Sequence, residues 1–176
     1  MISEEELIKA CKKNNRVAQK ELFDRYSGKM LAVCLRYARN QEDARDLLQD
    51  GFFKVLTKIK SFKGNSKLET WMTRVFINLA LNRLRQGRNK YYHEEFDQKH
   101  EAGLTDTEEE LPQRDAKTVL KAVQELPEIY RIVINMYAID GMSHKEISKA
   151  LGITEGSSKS RLSRARVLLN EQLKSK

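Results

Sequence analysis

The chain has 176 residues, of which 40% are hydrophobic and 33% charged, and its formal net charge at pH 7 is +8. This length suits one domain or two small ones, and the positive charge favours a polyanionic partner, either nucleic acid or an acidic membrane. No apolar run is long enough to span a bilayer, and the first ten residues, MISEEELIKA, are acidic where a signal peptide would be basic. We therefore expect a cytoplasmic protein that is not inserted in a membrane.

The residues that usually bind metals or carry out catalysis are not arranged for either task. Cys11 and Cys34 lie in apolar helical patterns and form no CxxC pair, so we interpret them as small buried side chains. The histidines, His93, His100 and His144, lack ligand spacing. We also find no nucleophile paired with a base and no glycine-rich phosphate loop. The expectation is a protein that is not an enzyme, has no metal or other cofactor, and takes no small-molecule substrate.

The first half of the chain has helical periodicity and no strand pattern, which predicts an all-α fold. Ser3 and Glu6 have the spacing of a capping box at the start of the first helix. A second helix is predicted from about Val17 to Arg39. Its apolar stripe, which we assign to the core, contains Leu22, Phe23, Tyr26, Met30, Val33, Cys34 and Tyr37.

A third helix is predicted to begin after Asn40 and to have two different faces. The apolar face includes Gly51 and Phe52, whereas Phe53 lies among carboxylates on the other side. An exposed aromatic beside carboxylates can dock a protein, because its burial provides affinity while charge sets orientation. Equally, Phe53 could pack on a neighbouring helix and the carboxylates could simply be solvated. The candidate docking residues are Asp43, Asp46, Gln49, Asp50 and Phe53.

A loop at Gly64 and Asn65 precedes a fourth helix, for which Ser66 and Glu69 predict a capping box. Arg and Asn recur along one stripe of this helix, and such side chains bond both phosphates and base edges. Trp71 is either a core anchor, the commoner role, or a platform for an unstacked base. Arg83 would extend the positive field. The candidate nucleic-acid contacts are Lys63, Asn65, Ser66, Lys67, Trp71, Arg74, Asn78, Asn82 and Arg85.

Helical periodicity fails after the fourth helix, and the charge changes sign over about residues 86–113. A long acidic stretch without apolar spacing is typical of a flexible linker. We therefore predict two small helical domains, at residues 1–87 and 114–176, joined by an acidic flexible linker at 88–113.

The last part of the chain is predicted to contain about four helices. The first begins near Asp115, with Val119, Leu120 and Val123 on its apolar face, and Pro127 is at the first position of the next. The inward residues of that next helix are predicted to be Ile129, Ile132, Val133, Met136 and Tyr137.

The most informative stretch is residues 143–174. Ser143 and Glu146 predict a capping box for a short helix, Gly152 ends that helix, and Thr154 can cap a second, basic helix. This is a helix-turn-helix, and its second helix fits the major groove, where Arg or Lys can pair with guanine. The alternative is a basic face that is merely solvated. The residues predicted to project toward DNA are Ser157, Lys159, Ser160, Arg161, Ser163, Arg164 and Arg166.

Taken together and in this order, these motifs resemble the sigma-70 family, specifically its small extracytoplasmic-function (group 4) members. DARDLLQDGFFKVL resembles the family's core-polymerase-binding helix. Residues 62–85 resemble the segment that melts and reads the −10 promoter element, and residues 126–166 resemble the part that reads the −35 element. One departure is Ser158, which stands where the family usually has a buried aliphatic residue.

The resemblance implies a sigma factor that binds core RNA polymerase, at the β′ clamp helices and the β flap, and directs promoter-specific initiation. The docking residues of the third helix would meet the clamp helices, and the loop around Asn65 would hold a base flipped from the non-template strand. An anti-sigma factor is a further expected partner. The alternative is a helix-turn-helix regulator that is not a polymerase subunit, but it leaves the loop and the Arg/Asn stripe unexplained.

Overall fold

The computed structural model of the chain describes residues 2–86 and 115–174, without the side chains at 85–86 and 116–117. The described residues form eight α-helices and no strand, which confirms the predicted all-α class. The chain divides after Gln86 into two compact units. The expected linker at 88–113 lies outside the described residues.

The first unit consists of four α-helices and a short 3₁₀ turn. The helices are α1 (Glu4–Lys12), α2 (Arg16–Tyr37), α3 (Gln41–Lys58) and α4 (Leu68–Gln86), and the turn (Ile59–Ser61) follows α3. Helices α2, α3 and α4 pack on one another in pairs, and α1 packs on α2. This three-way packing encloses the core of the unit and leaves one face of both α3 and α4 in solvent.

Side-chain caps explain where three of these helices begin. The predicted capping box of α1 is present, with Ser3 Oγ accepting from the Glu6 backbone N–H and Glu6 Oε2 accepting from the Ser3 N–H at 2.9 Å. That bond holds the pKa of Glu6 below its usual value. Asn15 and Asn40 cap α2 and α3 through their side-chain oxygens. The caps satisfy backbone donors that have no partner within the helix.

The core of the first unit depends on one close helix contact. A Cβ atom at Gly51 of α3 would lie 2.0 Å from Cε1 of Phe76 on α4, so the two helices pack this closely only because residue 51 has no side chain. The Phe52 ring lies 5.6 Å from the Phe76 ring and 4.7 Å from the Phe23 ring, measured between centroids. Phe23 was predicted to be a core residue, but it is 42% exposed. Contact with Phe52 covers one side of its ring, and solvent reaches the rest.

The interpretation of both cysteines as buried small side chains is confirmed. Cys11 and Cys34 are free and are 1% and 0% exposed. Burial raises the pKa of the Cys34 thiol to about 12, because the charged thiolate loses its hydration. Neither side chain is therefore suited to a nucleophilic role at neutral pH.

The second unit contains the remaining four helices, as predicted. They are α5 (Ala116–Glu125), α6 (Glu128–Ile134), α7 (His144–Leu151) and α8 (Glu155–Lys174), and a π-helical turn (Asn135–Ile139) follows α6 directly. Helix α8 packs on α5, α6 and α7 and is therefore the centre of the unit. Its buried apolar residues are Leu162, Ala165, Leu169 and Leu173, all of which were predicted to face inward.

Three predictions about this unit need correction. Tyr137 is 37% exposed, because the wider π-helical turn, with Asp140 N–H donating to Asn135 O at 3.0 Å, moves it off the inward face of α6. Leu120 is 42% exposed, because the buried residues of α5, Ala122 and Val123, centre the inward stripe to one side of it. Pro127 is the N-cap of α6 and not its first residue.

Candidate nucleic-acid and polymerase interfaces

The predicted helix-turn-helix is formed by α7 and α8. Ser143 and Glu146 make the predicted capping box, with the Ser143 backbone N–H donating to Glu146 Oε2 at 2.8 Å. Gly152 ends α7 in the left-handed conformation at φ 70°, which favours glycine. Thr154 Oγ1 caps α8 by accepting from the Ser157 backbone N–H at 3.0 Å. Local chemistry thus fixes both helix ends and the turn between them.

The predicted DNA-contacting residues of α8 differ in how far they reach solvent. Lys159 and Arg164 are exposed. The residues of intermediate exposure are Ser157, Ser160, Ser163 and Arg166. Ser157 is engaged locally, since its hydroxyl accepts from Thr154 Oγ1 at 3.0 Å. The positive charge that α8 offers to solvent therefore comes mainly from Lys159, Arg164 and Arg166.

Arg161 does not project from the surface of α8 as predicted. It is only 5% exposed, and Ser158 beside it is fully buried. Arg161 lies three residues after Ser158 and four before Ala165, so the helical repeat places all three on the face that packs on the rest of the unit. Its positive charge suggested a surface position, but the spacing of its buried neighbours decides otherwise.

An aromatic and polar cluster links the helix-turn-helix to the preceding turn, and the sequence did not predict it. His144 Nδ1 lies 2.9 Å from the buried Ser158 Oγ. The His144 ring stacks on Tyr137, with centroids 4.8 Å apart and planes at 24°. The guanidinium carbon of Arg166 lies 5.9 Å from the centroid of the same Tyr137 ring. The one signal in the sequence was Ser158, a polar residue at an inward position.

The loop between the 3₁₀ turn and α4 presents most of the residues predicted for it. Lys63, Asn65 and Lys67 are exposed, and Ser66 is half-buried. Gly64 has φ 78°, a value that favours glycine and bends the chain here. The loop therefore offers two cations and an amide to solvent.

Residues on either side of this loop hold it to the body of the unit. Lys12 Nζ on α1 donates to the carbonyl oxygen of Phe62 at 2.8 Å. The half-buried Trp71 ring lies 5.2 Å from the Phe62 ring, measured between centroids. Helix α4 begins at Leu68. Glu69 was predicted to form a capping box with Ser66. In the structure its carboxylate accepts a hydrogen bond from Lys29 Nζ on α2 at 2.5 Å.

The Arg/Asn stripe of α4 lies in solvent as predicted. Arg74, Asn78 and Asn82 are all exposed, and their four-residue spacing places them on one face. The side chain of Arg85 lies outside the described residues. Arg83 was expected to extend this positive field, but it forms an ion pair with Asp50 on α3 instead. Part of the basic charge of α4 is therefore directed at the acidic face of α3.

The candidate docking face of α3 is accessible. Asp46, Gln49 and Asp50 are exposed and Asp43 is half-buried. Phe53 is 74% exposed, which excludes the alternative that it packs against a neighbouring helix. An apolar ring of this size in solvent, bordered by carboxylates, is typical of a protein-binding surface.

The described residues contain neither a metal-binding cluster nor a membrane-spanning helix. No group of three or more His, Cys, Asp or Glu side chains in residues 2–86 and 115–174 is arranged to hold a metal ion. Across the same residues, no helix combines the length and the apolar composition needed to cross a bilayer.

Comparison with known proteins assigns both units. The family profile for Sigma-70 region 2 matches residues 22–90, and that for Sigma-70 region 4 matches residues 116–169. The ECF RNA polymerase sigma factor SigW of Bacillus subtilis is 30% identical over 177 residues, 95% of each chain. The ECF RNA polymerase sigma-E factor of Haemophilus influenzae is 25% identical over 98% of this chain and 96% of its own.

Solved structures agree with this assignment. The sigma factor RpoE in complex with the anti-sigma factor NepR from Bartonella quintana has a TM-score of 0.53 at 25% identity, covering 88% of this chain and 96% of that one. CnrH, solved in complex with the cytosolic domain of CnrY, has a TM-score of 0.51 at 21% identity, covering 96% of each chain, and supports the fold.

The first unit has an exposed acidic and aromatic face, and the second contains a helix-turn-helix. Together with the comparisons, these features identify a transcription initiation factor. The chain belongs to the sigma-70 family, in its extracytoplasmic-function (ECF) group. It directs promoter-specific transcription initiation by RNA polymerase, and the alternative of a regulator outside the polymerase is not favoured.

Proposed function

We propose that three surfaces of this sigma factor divide the tasks of initiation. The acidic face of α3 holds core polymerase, the loop at 63–67 with the stripe of α4 contacts the −10 element, and α8 contacts the −35 element. The observation that carries this proposal is the 74% exposure of Phe53 beside exposed carboxylates. DNA recognition alone does not require such a face, whereas binding to core polymerase does.

The polymerase surface consists of Asp43, Asp46, Gln49, Asp50 and Phe53, and its expected partner is the β′ clamp helices. Burying the Phe53 ring supplies apolar area, and the carboxylates select a basic partner and orient it. Asp50 already pairs with Arg83, so a cation from the polymerase would have to share or replace that contact. The β flap is proposed to contact the second unit.

The −10 surface has donors and acceptors suited to single-stranded DNA. Arg74, Asn78 and Asn82 form an exposed stripe that can follow a phosphate backbone. Asn65, in the loop at 63–67, offers an amide that can read the edge of a flipped base. The Lys12 bond to Phe62 and the packing of Trp71 on the Phe62 ring hold the start of this loop before DNA binds.

The −35 surface is the solvent side of α8. Lys159 and Arg164 are exposed, and Arg166 is half-buried. These side chains can pair with guanine or with phosphates in the major groove. Arg161 is left out of this surface because it is buried.

Other properties follow from this function. The protein acts in the cytoplasm, where polymerase and promoters are found, and it catalyses no reaction itself. An anti-sigma factor is proposed as a regulatory partner, since the sigma factor RpoE, to which the chain is similar, was solved with one.

In vitro transcription tests the proposal. The purified protein is added to core RNA polymerase on a promoter found by mapping transcript starts after overexpression. We expect RNA from the mapped start only when both components are present. If no promoter-dependent RNA forms while the free protein binds one duplex site tightly, the protein is a regulator and not a polymerase subunit.

The polymerase surface has its own test at Phe53. Phe53→Ala removes the apolar anchor, so we expect core binding to weaken tenfold or more, the loss of about 1.4 kcal/mol or greater that is typical of a binding hot spot. The measurement is a fluorescence titration of labelled protein with core polymerase. Val17→Ala is the matched control, since Val17 is also exposed, at 77%, in the same unit but on α2. Equal losses for both variants would contradict the assignment of α3 as the docking face.

A further inference from the structure

One cluster of side chains occupies a place in the fold that suggests a role for it. Its members are His144, Ser158, Tyr137 and Arg166. Tyr137 belongs to the π-helical turn, His144 is the first residue of α7, and Ser158 and Arg166 lie on α8. A chain of contacts thus begins at a buried hydroxyl and ends at a cation on the proposed −35 surface.

The first link fixes the His144 imidazole. Ser158 is fully buried at a position where its neighbours Leu162 and Ala165 are apolar, so its hydroxyl needs a hydrogen-bond partner there. His144 Nδ1, at 2.9 Å, provides one. The bond ties the start of α7 to α8 and fixes the orientation of the imidazole ring.

The second link fixes the Tyr137 ring. Tyr137 is 37% exposed, so packing in the core holds it only in part. Its stack on His144, with centroids 4.8 Å apart and planes at 24°, limits the motion of the ring. A face of an exposed aromatic side chain is thereby kept next to α8.

The third link is the contact between Tyr137 and Arg166. The Arg166 guanidinium carbon is 5.9 Å from the Tyr137 centroid, within the range of a cation–π interaction. A free arginine side chain loses much rotamer freedom when it binds a ligand, and a side chain that is already held loses less. The contact therefore favours one placement of Arg166 before DNA binds.

We propose that Tyr137, oriented by the bond between His144 and Ser158, is a positioning residue that preorganises Arg166 for promoter DNA. This inference rests on the proposed function of α8 as the −35 surface, and it adds a residue outside the helix-turn-helix to promoter binding. Tyr137 acts through Arg166, so its contribution to affinity disappears when Arg166 is absent.

A double-mutant cycle in the reconstituted holoenzyme tests this coupling. Promoter affinity is measured on the mapped promoter, as transcript yield against holoenzyme concentration, for the wild type, Tyr137→Leu, Arg166→Ala and the double variant. We expect Tyr137→Leu to weaken affinity about two- to fivefold in the wild-type background, as a partly exposed cation–π contact would. In the Arg166→Ala background we expect it to have no effect.

Two control variants separate positioning from a general structural effect. Tyr137→Phe keeps the ring and should retain wild-type affinity. Arg164→Ala removes an exposed arginine of the same helix, and its effect should add to that of Tyr137→Leu. Circular dichroism shows whether Tyr137→Leu is folded, and His144→Ala, which removes the stacking partner, takes its place if it is not, with the same coupling to Arg166 expected.

The outcomes distinguish the inference from the function on which it rests. If the wild-type holoenzyme makes no promoter-dependent RNA, the proposed function fails and the inference fails with it. If the wild type is active but the effects of Tyr137→Leu and Arg166→Ala simply add, only the inference is overturned. Loss of affinity in Tyr137→Phe would also overturn it, because the ring is then not what matters.

Discussion

At the scale of single residues, the same side chain has different roles according to its position on a helix. Arg161 and Arg164 are three residues apart on α8, yet the first is buried and the second is exposed. A guanidinium on a long apolar stem can be accommodated in either place, because the stem packs like a hydrocarbon. The charge of a residue is therefore a weak guide to its surface position within a basic helix.

Replacing each arginine with alanine should separate these roles. We expect Arg161→Ala to lower the free energy of unfolding by about 1–3 kcal/mol, because it removes a buried, packed side chain. Arg164→Ala should change this free energy by less than about 0.5 kcal/mol but weaken promoter binding by about 1–3 kcal/mol if it contacts a base. Urea denaturation followed by circular dichroism gives the first quantity, and holoenzyme binding to the mapped promoter gives the second. The reverse pattern of losses would show that Arg161, and not Arg164, contacts DNA.

At the scale of elements, the arrangement of α3 and α4 determines whether the two functional faces of the first unit coexist. Gly51 allows the helices to come close together against Phe76. The Arg83 to Asp50 ion pair joins them at the edge of the docking face. The acidic face of α3 and the Arg/Asn stripe of α4 are consequently fixed relative to each other within one small core.

Adding a methyl group at residue 51 tests this arrangement. Gly51→Ala would place a Cβ atom 2.0 Å from Phe76, so the helices must separate or the ring must move. We expect a loss of about 1–3 kcal/mol in the free energy of unfolding, as for other overpacked cores. Thermal and urea denaturation measure the loss.

Gly28→Ala is the matched control for that substitution. Gly28 is also inside a helix, but a Cβ there would meet nothing within 4 Å. Since alanine favours helix more than glycine does, we expect a gain of up to about 1 kcal/mol. If both substitutions have the same sign, the close contact at Gly51 does not determine the packing.

At the scale of the whole molecule, the charge is unevenly distributed. The net charge is +8, although α3 carries an acidic face and residues 88–113 are acidic. Exposed basic side chains on the loop at 63–67 and on the outer side of α8 contribute to the excess of positive charge. Opposite charges on separate faces allow one chain to bind a protein and a polyanion at the same time.

Salt dependence checks whether the positive surfaces bind phosphates. Each neutralised phosphate of a duplex contributes about −0.9 to the slope of log K against log salt concentration. Two such contacts alone would weaken non-specific duplex binding about tenfold between roughly 50 and 200 mM salt. We expect at least this loss for the full chain on a mixed-sequence duplex, measured by fluorescence anisotropy. An affinity that does not change with salt would contradict phosphate contact.

The sequence by itself determined the helical class, most helix ends and the helix-turn-helix. These features depend on interactions between residues close in the chain, such as the capping boxes at Ser3 and Ser143 and the left-handed Gly152. It also predicted most of the surface residues of α3 and α4, because a regular helix repeats every 3.6 residues.

Only the tertiary structure decided the positions that depend on neighbours distant in the chain. The burial of Arg161 is set by the elements that pack on α8, and the exposure of Tyr137 is set by a π-helical turn that breaks the regular repeat. The partnership of Arg83 with Asp50 and that of His144 with Ser158 join residues on different helices. Periodicity tells which residues share a face of one helix, but the face of another helix that meets it is fixed only when the helices pack.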